Sequence, residues 1–216
     1  MPADAPLAEA MYSYEPANGH GLKHDPFNAI VGPRPIGWIS SVGADGVVNL
    51  APYSFFNAFN YHPPIIGFSS IGWKDSVANI KETGEFVWNL ATRALADKMN
   101  ATSATVPRGI DEFGLGQLTH LPSTKIAPPR VGESPVHFEC KLTQLIQLEG
   151  IGGVAVNTWM VFGEVVAVHI DPSLIVEGVY QTANAHPILR AGRWGDYAEV
   201  SPDIMFVMPR PNPPSF

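Results

Sequence analysis

Val136-His-Phe-Glu-Cys-Lys-Leu-Thr-Gln-Leu-Ile-Gln-Leu148, then Gly150-Ile-Gly-Gly153, then Thr158-Trp-Met-Val-Phe-Gly-Glu-Val-Val-Ala-Val-His-Ile170 is the stretch that decides the architecture. In the first segment Val136, Phe138, Cys140, Leu142, Gln144, Ile146 and Leu148 alternate with His137, Glu139, Lys141, Thr143 and Gln147. Successive side chains of a strand point to opposite faces, so this period of two predicts one long, half-buried strand. The glycine run turns the chain. The last segment is apolar at both parities, which predicts a second long strand with one face on the core and the other on a partner subunit. Long strands separated by turns, with only short helices, predict a closed antiparallel barrel.

Upstream segments fit that frame. Ile36 to Val42 and Val47 to Tyr53 are β-prone runs joined by Gly43-Ala-Asp-Gly46, a hairpin signal because Asp45 and Gly46 both tolerate positive φ. Ile65 to Ser70 and Glu85 to Leu90 read as two more strands. Between them a compact helix is expected, with Asp75 or Ser76 as its cap, Val77 and Ile80 on one face, and Gly84 ending it. A second helix is expected over Arg93 to Ala104. Residues 1–25 read as an arm, 26–208 as one domain, and 209–216, with four prolines in eight residues, as a tail that is neither helix nor central strand. The fold class is therefore mainly β with short helices.

Composition narrows the function classes. A hydrophobic share of 45% against 15% charged residues supplies a full core and a thinly charged coat, as in a protein that hides surface in an oligomer. The net charge of −7 offers no basic stripe for a nucleic acid backbone. Cys140 is the single cysteine, which excludes an intramolecular disulfide or thiolate metal cluster; its apolar neighbours mark it as a buried strand residue. The first ten residues carry two acidic side chains and no apolar stretch, unlike a signal peptide. No apolar run approaches the ~20 residues of a membrane helix. The sequence reads as that of a cytoplasmic, soluble protein. His20 and His24 have metal-like spacing but sit among glycines with no third ligand, so no metal site is expected.

Four motifs stand in series: Pro33-Arg-Pro-Ile-Gly-Trp-Ile-Ser-Ser41, Asn49-Leu-Ala-Pro-Tyr-Ser-Phe-Phe-Asn57, His62-Pro-Pro-Ile-Ile-Gly-Phe-Ser-Ser70, and the run from Lys74 to Asn89. Together they resemble the flavin reductase-like family of FMN-binding split β-barrels, particularly its flavoredoxin-type branch. The resemblance implies a split barrel that forms a homodimer, with FMN near the subunit interface. It further implies that Ala51, Tyr53, Ser54, Phe55 and Phe56 contact the flavin ring, with Asn49, Arg34 and Trp38 as further candidates. Arg34 could equally serve a dimer salt bridge, and strand aromatics are more often core than cofactor platform.

Residue chemistry points the same way for the phosphate. Lys74, Asp75 and Ser76 open a helix, where unbonded N–H groups and the helix dipole favour an anion. Asn79 lies one turn on, and Ser69 and Ser70 end the preceding strand. Asp75 would repel a phosphate unless it turns aside to cap the helix or to bind Lys or Arg. Pro52 cannot donate to a ladder, so its strand is expected at an edge or bulged. Near the C-terminus, His186-Pro-Ile-Leu-Arg-Ala-Gly-Arg-Trp-Gly-Asp-Tyr197 resembles a family segment in which a histidine lies near the nicotinamide pocket; His186 takes that place, unless the segment only packs on the barrel mouth. Gly150 to Gly153 lies between strands and is no dinucleotide fingerprint. The expected activity is NAD(P)H-dependent FMN reduction by hydride transfer, with a flavin-dependent monooxygenase as a possible acceptor. The alternatives are a non-catalytic FMN electron carrier, or an FMN-dependent reductase or oxidase acting on a separate organic substrate.

Overall fold

The structure is a computed structural model in which residues 11–211 are described; the first ten residues of the expected arm and the last five of the expected tail lie outside them. Residues 11–25 hold only a short turn at Pro16–Asn18. In chain order come helix α1 (Phe27–Ile30) and strands β1 (Arg34–Pro35), β2 (Gly37–Val42), β3 (Val48–Tyr53), β4 (Phe56–Asn60) and β5 (Ile65–Ile71). Helix α2 (Asp75–Thr83), β6 (Glu85–Asn89), α3 (Ala96–Ala101), α4 (Glu112–Leu115), β7 (His120–Leu121) and β8 (Arg130–Val131) follow. The chain then runs through β9 (Val136–Glu149), β10 (Ala155–Ile170), β11 (Ile175–Val176), β12 (Val179–Tyr180), β13 (Ile188–Arg190) and β14 (Tyr197–Glu199).

Seven strands form one antiparallel sheet in the order β3-β2-β6-β9-β10-β5-β4. Its two edges, β3 and β4, are consecutive in the chain, with only Ser54 and Phe55 between them. Three peptide steps reach no more than about 11 Å, so the sheet must curl until its edges meet. That makes a split barrel. Pro52 sits on edge strand β3, where its missing N–H costs no ladder bond. A small sheet in the order β1-β13-β14 stands beside the seam.

Neighbouring residues of β2 serve two cores. Ile39 faces the barrel interior with Phe68, Val77, Ile80, Phe86 and Cys140. Trp38 faces the opposite cluster with Leu50, Met99, Phe113 and Val131. Helix α2 closes the barrel and ends as expected: Gly84 is left-handed at φ 74° and donates to the Ile80 carbonyl.

Several expectations are corrected. The β2–β3 connection is left-handed only at Gly46, whose N–H bonds the Gly43 carbonyl in a four-residue turn; Asp45 keeps negative φ and accepts from Val47 instead. Residues 93–104 divide into a 3-10 turn at Arg93–Leu95 and the shorter α3. Strand β4 was not foreseen. On β9 the alternation breaks where Leu142 pairs with Gly163 and Gln144 with Phe162, leaving Thr143 as an extra residue. The bulge flips parity, so Leu145 packs inward and Ile146 and Leu148 are exposed. His137 and Glu139, on the polar face of the pattern, are buried because the Pro-rich passage before β9 covers them. Glu139 accepts the N–H groups of Thr124 and Lys125 and pairs with His169, while His137 Nε2 donates to the Val131 carbonyl.

Candidate functional site

Beneath α2 lies a closed polar cluster. Asn49 Nδ2 donates to Ser76 Oγ at 2.7 Å, and Asn79 Nδ2 to Ser41 Oγ at 3.3 Å. Asn49, Ser70, Ser76 and Asn79 are all buried. The neighbouring Leu50 N–H bonds the Glu112 carboxylate, whose burial raises its pKa. One atom of this cluster is left over. Tyr53 Oη is buried beside the hydroxyls of Ser70 and Ser76, in an orientation that makes no hydrogen bond, and burial raises its pKa.

The start of α2 opens outward from that cluster. Lys74 occupies the N-cap position and makes no side-chain cap, so the first helical N–H groups lack a side-chain acceptor. Asp75 turns aside toward Arg108, which lies 3.5 Å from it. Arg108 also reaches Asp45 at 2.9 Å and donates to Asn79 Oδ1 at 2.9 Å. This guanidinium neutralises the carboxylate nearest the helix start.

Three clefts meet around Arg34 and Ser54. The first, of about 520 Å³, runs past Arg34, Phe55, Phe56, Asn57, Ser69 and Met160. Its apolar rim includes the exposed Ile30, Val31 and Phe59. Phe56 stacks on Trp88 with ring centroids 5.6 Å apart, which fixes that wall. The second, of about 460 Å³, shares Arg34 and is lined by Ser54, Arg190 and Trp194. The third, of about 1030 Å³, shares Ser54, Arg190 and Trp194 and adds Ile36, Pro52, Arg93, Tyr197 and Glu199. At its edge His186, itself left-handed at φ 48°, bonds Glu199 at 2.6 Å through Nδ1.

The flavin reductase like domain matches residues 32–188 of this sequence. The chain belongs to the flavin reductase-like family. An uncharacterized protein of Aquifex aeolicus is 34% identical over 155 residues, 69% of this chain and 76% of that one. Among solved structures, nitrilotriacetate monooxygenase component B from Bacillus cereus superposes with a TM-score of 0.81 at 30% identity, covering 92% of this chain and 98% of that one. The 2-nitrobenzoate 2-nitroreductase of Pseudomonas fluorescens gives 0.75 at 30% identity, covering 88% and 92%. Flavoredoxin of Desulfovibrio vulgaris gives 0.70 at 23% identity over 82% of this chain and 90% of that one, a likeness of fold. This is a family of flavin-binding oxidoreductases with a split barrel.

The candidate residues of this flavin reductase-like chain do not form one continuous patch. Arg34, Phe55, Phe56 and Ser69 line the open cleft of about 520 Å³, and Ser54 lies where the other two meet. Lys74 and Asp75 stand at the α2 start, while Asn49, Tyr53, Ser70, Ser76 and Asn79 belong to the closed cluster beneath it. Ala51 is half-buried against the barrel core. Trp38 is fully buried, with Nε1 bonded to Thr102 at 3.0 Å, so it has no face open to a ligand. Arg34 is 8% exposed and its guanidinium donates to the carbonyls of Ser54, Asn28 and Val31. Within the described chain it forms no salt bridge. Sequence reading missed Arg108, Arg190 and Glu199. Arg108 has no local signal, and Arg190 and Glu199 acquire their roles only through the pairing of β13 with β1 and β14.

Proposed function

We propose that this protein binds FMN and reduces it with NAD(P)H. The observation that carries the reading is a run of three clefts joined at Arg34 and at Ser54. A slot walled by Phe55 and Phe56 adjoins, through the Arg34–Ser54 wall, a cavity of about 1030 Å³ large enough for a second planar molecule. An electron carrier alone has no need of the second space.

In this reading the α2 start takes the phosphate: Lys74 gives a charge, the uncapped N–H groups give donors, and Arg108 cancels Asp75. Phe55, Phe56 and Met160 enclose the ring. The bound flavin supplies the hydride-accepting chemistry, and the chain supplies orientation and electrostatics. Pro52 and Ser54 set the floor on which the nicotinamide lies, Trp194 and Tyr197 cover it, and His186 is held at the rim by Glu199. Exposed Ile71, Trp73, Ile151, Val154 and Val156 form an apolar outer face suited to a second copy, which would close the open flavin cleft as a homodimer. The likeness to a monooxygenase component B supports delivery of reduced flavin to a partner oxygenase. The likeness to a nitroreductase supports the second reading, an organic substrate in the larger cleft.

The test is anaerobic titration of the FMN-loaded protein with NADH and NADPH. Bleaching of the flavin by either is expected. If neither bleaches it while an organic nitro compound reoxidises chemically reduced protein, the second reading replaces the first. Light scattering at graded concentrations checks the dimer.

A further inference from the structure

Arg34 and Arg190 are register partners across β1 and β13, so their side chains rise from one face of the small sheet. Burial, and after it the neighbouring Arg190 charge, lowers the Arg34 pKa. Arg34 is held by three carbonyl oxygens, none of them a carboxylate. Arg190 lies 5.0 Å over the Tyr197 ring. Among the described residues no carboxylate comes within 4.0 Å of either guanidinium, and Arg190 makes no side-chain hydrogen bond.

Of the four carboxylates lining these clefts, three are otherwise engaged. Asp25 accepts from the Phe27 N–H and Asp196 from the Arg193 N–H. Glu199 bonds His186 and lies 3.9 Å from Arg93. Asp97 also lines the large cleft and comes within 4.0 Å of neither guanidinium. Two adjacent cations without a counter-ion, one of them buried, leave a standing demand for an anion. A guanidinium satisfies that demand best by forked hydrogen bonds to a carboxylate or phosphate. The position is also specific, because Arg190 lines both the 460 Å³ and the 1030 Å³ clefts and shares them with Ser54 and Trp194.

We propose that Arg190, backed by Arg34, is the receptor for an oxyanion, carboxylate or phosphate, carried by a planar organic molecule that lies between Trp194 and Tyr197. The aromatic pair supplies the stacking surface and Arg190 the directional contact. The role of that molecule as the flavin's reaction partner rests on the function proposed above; its binding does not.

Calorimetric titration of the full chain with benzoate, benzyl alcohol and inorganic phosphate tests this. Benzoate or phosphate is expected to bind, with benzyl alcohol at least about tenfold weaker than benzoate. Preference for benzoate assigns the anion to a carboxylate, and preference for phosphate to a phosphoryl group. Arg190→Gln is expected to lose about tenfold or more in anion affinity, and Arg190→Lys to recover part of it. If Arg190→Gln does not fold, the loss on Arg190→Lys alone carries the comparison. The proposal is overturned if wild-type protein binds neither anion, or if the Arg190 variants bind them as wild type does. Quenching of FMN fluorescence by wild-type protein is measured separately, so an absent flavin site and an absent anion site are distinguished.

Discussion

The polar cluster beneath α2 and the clefts around Ser54 treat their polar groups in opposite ways. Under α2, Asn49, Ser76, Asn79 and Ser41 spend their hydrogen bonds on one another, and Leu50 and Glu112 do the same. Around Ser54, Arg190 keeps an unpaired guanidinium open to two cavities. Internal satisfaction holds elements together; unsatisfied charge at a cavity invites a ligand. Two histidines, His137 and His186, run the other way. His137 is buried with Nδ1 unpartnered, whereas His186 is half-exposed and paired to Glu199.

Acid acts most strongly on a second buried group, His137 of β9. Burial pushes the His137 pKa down to about 4, so the folded protein keeps it neutral where an unfolded chain, at about 6.5, takes up a proton. The unfolded state then binds more protons, and stability falls as pH drops from about 6.5 to about 4. The full effect is roughly 3 kcal/mol. Urea unfolding of wild type and His137→Gln across that range checks it: the variant's stability should be flatter with pH. Equal slopes would remove His137 as the source.

A substitution pair measures the contrast directly. Asn79→Leu removes the buried Ser41 hydroxyl's donor and one of the acceptors of Arg108, and is expected to cost about 2 kcal/mol. Trp194→Ala, at a side chain 97% exposed, is expected within about 0.5 kcal/mol of wild type. Both are read from urea midpoints at fixed pH. A Trp194 effect as large as that of Asn79 would mean that the cleft rim is structural and the distinction between the two regions false.

Much of the frame was legible because it rests on local rules. Alternation placed β9, a run apolar at both parities placed β10, Gly84 ended α2, and Pro52 marked an edge strand. The misses share a different cause. Thr143 looks like any outward residue until pairing with β10 makes it a bulge, and that one residue decides which of Leu145, Ile146 and Leu148 meets the core. Strand β4, with Asn57 and Asn60 among its five residues, has weak β-propensity and is held by pairing with β5. The candidate site divided for the same reason. Motif spacing shows that Ser69, Ser70, Ser76 and Asn79 are near one another, but not which of them turns inward. Only Ser69 of these four reaches an open cleft.

Arg108 joins the two sides of the comparison, since it touches the closed cluster at Asn79 and the open helix start at Asp75. Its contacts are largely solvent-exposed, so its effect on stability is small. Its effect on an anion at α2 is larger in proportion, because removing the guanidinium leaves the Asp75 carboxylate unbalanced at the place proposed for phosphate. Arg108→Gln is expected to weaken FMN binding by roughly threefold to tenfold at low salt, and by less at high salt as screening grows. Adding Asp75→Asn to that variant should restore most of the affinity, since the repelling charge is then gone. Fluorescence titration of FMN against wild type, both single variants and the double variant closes the cycle. Recovery in the double variant identifies Arg108 as a charge-balancing residue. Strictly additive losses would instead make Asp75 and Arg108 independent, and the phosphate would have to be sought away from the α2 start.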